Sequence, residues 1–175
     1  MGEISLLTRE EEIRLAKKIE TTRMIFRRKV LENDYSIAAM VEILEMVDEG
    51  DLPFDRTMRI STAEEDAKGK IAARIPENLK TIRQLLKLNR QDWIAMEDGP
   101  RRGKAETART MAVIKSRRRK MATLVEELSL RTSKVQPLLK KLRSICAKMI
   151  DLRDQLKKGH DKVEDYDPED IMVMR

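Results

Sequence analysis

His160 is the only imidazole in this 175-residue chain and Cys146 its only thiol, so the side chains most used for nucleophilic, acid–base and metal chemistry occur once each. His160 follows Gly159 in a polar stretch without a convergent set of ligands, so no metal site is expected there. Cys146 adjoins Ile145 on an apolar stripe and is expected to be a buried, inert thiol; alone, it builds neither a disulfide framework nor a thiolate cluster. The run Glu10-Glu11-Glu12 fits a helix first turn, where negative charge complements the macrodipole. The glycines are scattered, so no phosphate-cradling loop is present, and a lone His cannot complete a Ser-His-Asp arrangement. The expectation is a protein that is not an enzyme, with no cofactor, no metal and no small-molecule substrate.

One cluster remains that can bind something. Arg117, Arg118, Arg119 and Lys120 are consecutive, and Arg101, Arg102, Lys104, Arg109 and Lys115 precede them. Four successive cations on a helix spread around most of its circumference, so some must face away from the core. Three readings fit: a solvated helix surface, a phosphate-binding footprint with salt-dependent affinity and no sequence choice, or a contact with an acidic protein surface.

The net charge of +6 is concentrated in this region. Residues 1–60 carry 10 basic and 13 acidic side chains, 61–100 carry 7 of each, 101–158 carry 18 and 5, and 159–175 carry 2 and 6. One strongly basic stretch is thus flanked by neutral or acidic ones. With only Phe26, Tyr35, Phe54, Trp93 and Tyr166 as aromatics, a stacking platform of the RNA-binding type is not expected. No apolar run approaches the roughly 20 residues that a membrane span needs, and Met-Gly-Glu-Ile-Ser is no signal peptide; a cytoplasmic protein with no membrane partner is expected.

The elements that position these residues read as helices throughout. Thr8 and Glu11 have capping-box spacing, which predicts a helix from about Arg9 to Leu31 with Ile13, Ala16, Ile19, Phe26 and Val30 on one face. Asn33-Asp34 is a stop signal. A second helix is predicted over about Ser36 to Glu49, with Ile37, Met40, Val41, Leu44 and Val47 facing the core, ended by Gly50-Asp51-Leu52-Pro53. Thr62 and Glu65 repeat the capping-box spacing, and Pro76 predicts a break that divides this region into two helices. Leu79, Ile82, Leu85, Leu86, Asn89 and Trp93 form the next face as far as Met96, and residues 98–103 are the clearest loop. From Met111 on, Met121, Leu124, Leu128, Val135, Leu138, Leu142, Ile145, Met149, Leu152 and Leu156 recur in a heptad. Leu139, Cys146 and Ile150 widen that stripe. A turn at Arg131-Thr132-Ser133, capped by Thr132, folds it into a pair. The fold class is all-α: an antiparallel helical bundle with long coiled-coil-like helices and no sheet. The acidic tail from Gly159 is expected to be mobile.

The first residues carry a resemblance as well. Met1-Gly2-Glu3-Ile4-Ser5-Leu6-Leu7-Thr8-Arg9-Glu10-Glu11-Glu12-Ile13, followed by Leu15-Ala16-Lys17-Lys18-Ile19-Glu20, resembles the region 1.2 signature of bacterial primary sigma factors of the sigma-70 family. The segment after it resembles more loosely the helical, non-conserved insert that follows region 1.2. The resemblance implies three parts: a region 1.2-like helix over 1–34, the insert over 35–158, and the acidic tail 159–175 leading to a region 2 that this sequence does not contain. It implies a part of a factor that directs core RNA polymerase to promoters. The implied partners are the polymerase clamp region and promoter DNA, with Met1, Gly2 and Arg9 near the discriminator. A free-standing coiled-coil interaction module built on the heptad is the alternative, and autonomous duplex-DNA binding by Arg117, Arg118, Arg119 and Lys120 is a third.

Overall fold

The structure is a computed structural model that describes residues 6–59, 66–99 and 103–161. Six helices run in order along the described residues: α1 (Arg9–Leu31), α2 (Asp34–Asp48), α3 (Phe54–Thr57), α4 (Ala67–Glu97), α5 (Lys104–Glu127) and α6 (Thr132–Asp161). The described residues contain no strand, only an isolated antiparallel bridge between Met58 and Leu130, so the all-α expectation holds. None of the described helices is long and apolar enough to cross a membrane.

Local chemistry sets the boundaries. The capping box at Thr8 is formed: the Glu11 amide donates to Thr8 Oγ1 at 3.3 Å and the Thr8 amide to Glu11 Oε2 at 2.9 Å. Asn33 does more than stop α1, because its Oδ1 accepts from the amides of Tyr35 (2.9 Å) and Ser36 (3.4 Å), so α2 starts at Asp34, two residues earlier than expected. Gly50 adopts φ +88° just past α2, a left-handed conformation that an L side chain rarely takes.

Two sequence expectations are corrected here. Pro76 does not break the chain: α4 is one 31-residue helix with Pro76 inside it. Pro76 and Ala72, the residue whose carbonyl loses its helical donor, are both exposed, which leaves the freed acceptor open to water. Ile75 and Leu79, one before Pro76 and one after it, are buried and hold both halves to the core. The turn before α6 lies earlier than expected, with Ser129 at φ +55°, and Thr132 is already helical. That turn is tied to the α3 segment: the Arg59 amide donates to the Ser129 carbonyl at 2.7 Å, and the Arg131 guanidinium donates to the Met58 and Asp55 carbonyls at 3.1 and 2.9 Å. The capping spacing at Thr62 and Glu65 lies outside the described residues.

Two compact units divide between Gln136 and Pro137. In the first, Asp34 pairs with Asn89 and Glu45 with Arg83, so α2 and α4 are antiparallel. Asn78 reaches the Leu124 carbonyl and Asp92 reaches Arg117, so α4 and α5 are antiparallel too. Leu31, Ile37, Met40 and Leu44 meet Ile75 and Ile82 of α4 and Ile114, Met121 and Val125 of α5 in a solvent-free core. Leu44→Ala there costs about 2–5 kcal/mol. The second unit contains the rest of α6. Its stripe is open: Ile145, Met149 and Ile150 are exposed, and so is Cys146, which corrects the expectation of a buried thiol. The heptad predicted a seam, but a seam buries a side chain only where something packs on it. The helix also passes through Gly159, which had been assigned to the tail.

Candidate nucleic-acid interface

The N-terminal candidate is the start of α1. Thr8 and Glu11 close on each other through three hydrogen bonds, including Thr8 Oγ1 donating to Glu11 Oε2 at 3.0 Å. The backbone amide of Thr8, followed by its hydroxyl, holds the Glu11 carboxyl below the ordinary glutamate value by stabilising the charged form. Arg9 stands in solvent, with a 3.3 Å ion pair to Glu12 as its one ion pair among the described residues, so its guanidinium is accessible. Met1 and Gly2 lie outside the described residues.

The helix that follows is built in two parts. Leu15, Ile19 and Met24 are exposed, as is Ile13, whereas Val30 and Leu31 are buried in the core and Arg27 pairs with Glu126 of α5. At ~1.5 Å per residue the 23-residue helix spans about 34 Å. Its last turns anchor it, and its first turns present apolar side chains that nothing described covers.

The basic cluster separates by direction. Arg117 is tied to Asp92 of α4, and Arg118 to Asp34 of α2, with its Nε 2.9 Å from Asp34 Oδ2. These two cations hold the bundle together. Arg119 and Lys120 are exposed without an ion pair among the described residues, and so are Lys104, Arg109 and Lys115. At about 100° per residue these five fall within about 160° of the helix circumference, opposite Ile114, Met121 and Val125. Arg101 and Arg102 lie outside the described residues. The structure therefore replaces a four-residue run with a solvent-facing stripe of five cations that have no ion pair among the described residues, suited to phosphates or carboxylates. Among the described residues no group of His, Cys, Asp and Glu is arranged to hold a metal.

Sequence reasoning missed the Asp34–Arg118–Asn89 set. Asp34 was assigned to a stop signal and Asn89 to an apolar face; a polar residue on a buried face was the signal that a partner had to exist. Trp93 was placed on that same face, but it is 42% exposed and lies at the edge of an open groove.

The family model for sigma-70 factor, region 1.2, matches residues 1–24. No curated protein and no solved structure matches the chain. The match supports a sigma-factor role in transcription initiation. It ends at Met24, within α1, so among the described residues it covers the capping box and the exposed turns and stops before the buried anchor at Val30 and Leu31.

Proposed function

We propose that this chain is part of a primary sigma factor of the sigma-70 family. In this reading it helps direct core RNA polymerase to promoters, as a helical scaffold that holds a region 1.2 segment beside the promoter discriminator. The observation that carries the reading is the coincidence of the region 1.2 match with the exposed, capped part of α1. A segment that must meet other surfaces stays uncovered, while the helix continues into a packed bundle that fixes its direction. Arg9, exposed at the first turn, is the described residue suited to a phosphate near the discriminator. The α5 stripe Lys104, Arg109, Lys115, Arg119 and Lys120 is suited to upstream DNA or to an acidic face of the polymerase clamp.

The test is site-specific photocrosslinking from Arg119 in a holoenzyme reconstituted with the complete sigma factor, with and without promoter. Crosslinks to upstream DNA or to the clamp are expected, and crosslinks to neither would remove the stripe from the proposal.

A second reading has one observation in its favour. The open stripe of α6, with Ile145, Met149 and Ile150 exposed, suits self-association as a coiled coil. Sedimentation decides it: a stable dimer dissociated by Leu142→Ala and Leu152→Ala supports the interaction module, and a monomer at all concentrations excludes it.

A further inference from the structure

We propose that the groove formed by the first turn of α2 with α4 and α5 docks a short acidic segment of a partner protein that carries an aliphatic or aromatic anchor. The groove has a volume of about 630 Å³, and Ala38, Leu86 and Trp93 supply its apolar wall. Lys87 and Arg90 stand at it, exposed and without an ion pair among the described residues.

The carboxylate and amide at its floor are already engaged. Asp34 accepts from Asn89 Nδ2 at 2.9 Å through one oxygen and from Arg118 Nε at 2.9 Å through the other. Asn89 is 2% exposed, and the Oδ1 left over is shielded from solvent. A ligand entering the groove therefore finds apolar contact and N–H donors, from Lys87, Arg90 and the Trp93 indole, while the acceptors of Asp34 and Asn89 are engaged or shielded.

That inventory selects between occupants. A nucleobase moved here would leave its edge N–H donors without an acceptor, a cost that offsets stacking on one Trp. A Leu or Phe side chain loses nothing polar on entry, and carboxylates beside it meet Lys87 and Arg90. The cationic stripe of α5 points elsewhere, since α5 contributes Arg118 here. The inference does not rest on the promoter reading and survives its failure.

Trp93 is the only tryptophan of the chain, so its emission reports on the groove directly. The 175-residue chain is titrated with three probes: an acidic amphipathic peptide of about 15 residues bearing Leu and Phe at i, i+4 spacing, the same peptide with Lys in place of every Glu, and a single-stranded oligothymidylate. The acidic peptide is expected to shift Trp93 emission to shorter wavelength and to saturate. Combined Lys87→Ala and Arg90→Ala weakens that binding at least ~5-fold, because both exposed charges are lost. Ala38→Arg, on the exposed side of α2, fills the groove and abolishes the shift although it adds positive charge. Circular dichroism checks folding; should Ala38→Arg unfold the chain, the double variant and the Lys peptide still decide. No shift with the acidic peptide, an equal shift with the Lys peptide, or a shift produced by the oligonucleotide instead would each overturn the proposal.

Discussion

Arg118 and Asn89 hold the same carboxylate from two helices: Arg118 Nε donates to Asp34 Oδ2 and Asn89 Nδ2 to Asp34 Oδ1, both at 2.9 Å. Asp34 is also the first residue of α2, where its charge faces the helix N-terminus. One residue thus joins α2, α4 and α5. Asp34→Ala is expected to destabilise the fold by about 2 kcal/mol, and Arg118→Ala by a similar amount, since each leaves a partly buried partner unmatched. In chemical denaturation the double variant should cost clearly less than the two losses combined; strict additivity would show that the pair does not interact.

At the other end of α1 the capping box sets a pH dependence. The Glu11 carboxyl lies below its ordinary value in the folded chain, so its contribution is complete above the unfolded glutamate value and is lost as pH falls through the lower folded one. Carboxyl titration by NMR should show Glu11 returning toward the ordinary value in Thr8→Ala. The same substitution should raise amide exchange in the first turn of α1 and leave α4 unaffected.

Pro76→Ala is expected to stabilise the chain. The helix interior gains a hydrogen bond and loses the ring clash, worth up to ~3 kcal/mol, reduced by the added freedom of the unfolded chain. Thermal unfolding should show a higher midpoint. A lower one would mean that the Pro is needed where it stands.

Cys146 is exposed on α6, so a thiol reagent should modify it fully in the folded protein without denaturant. Protection until unfolding would show that the stripe is covered in solution, as the self-association reading requires.

The free cations of α5 give a salt prediction. If the five bind duplex phosphates together, the logarithm of the binding constant should fall with that of salt concentration with a slope of about −4.5. Changing Arg119 and Lys120 to Ala should flatten the slope by about 2, whereas substituting Arg117 should act mainly through stability.

What was legible in the sequence follows from how local each cause is. Caps and apolar periodicity act within one or two turns, so the start of α1 and the buried face of α2 were legible in Thr8, Glu11 and Leu44. Pro76 misled because the cost of a helical Pro depends on which face it occupies, and that is decided by Ile75 and Leu79 packing on distant residues. Cys146 and Trp93 misled for the converse reason: an apolar stripe states what can be buried, and only the tertiary structure supplies what covers it. The cationic run was visible as composition, but which of its members are free depends on Asp34 and Asp92, far away in the chain. The region 1.2 signature was legible because it is a contiguous pattern of residue types.

In the proposed function the capped start of α1 works as region 1.2 beside promoter DNA. A photocrosslinking side chain in place of Arg9, in the complete factor bound to core RNA polymerase and a promoter, tests it most directly. A crosslink to the non-template strand just downstream of the −10 element, dependent on open-complex formation, is expected. A holoenzyme that opens the promoter normally and yields no DNA crosslink from this position would contradict it.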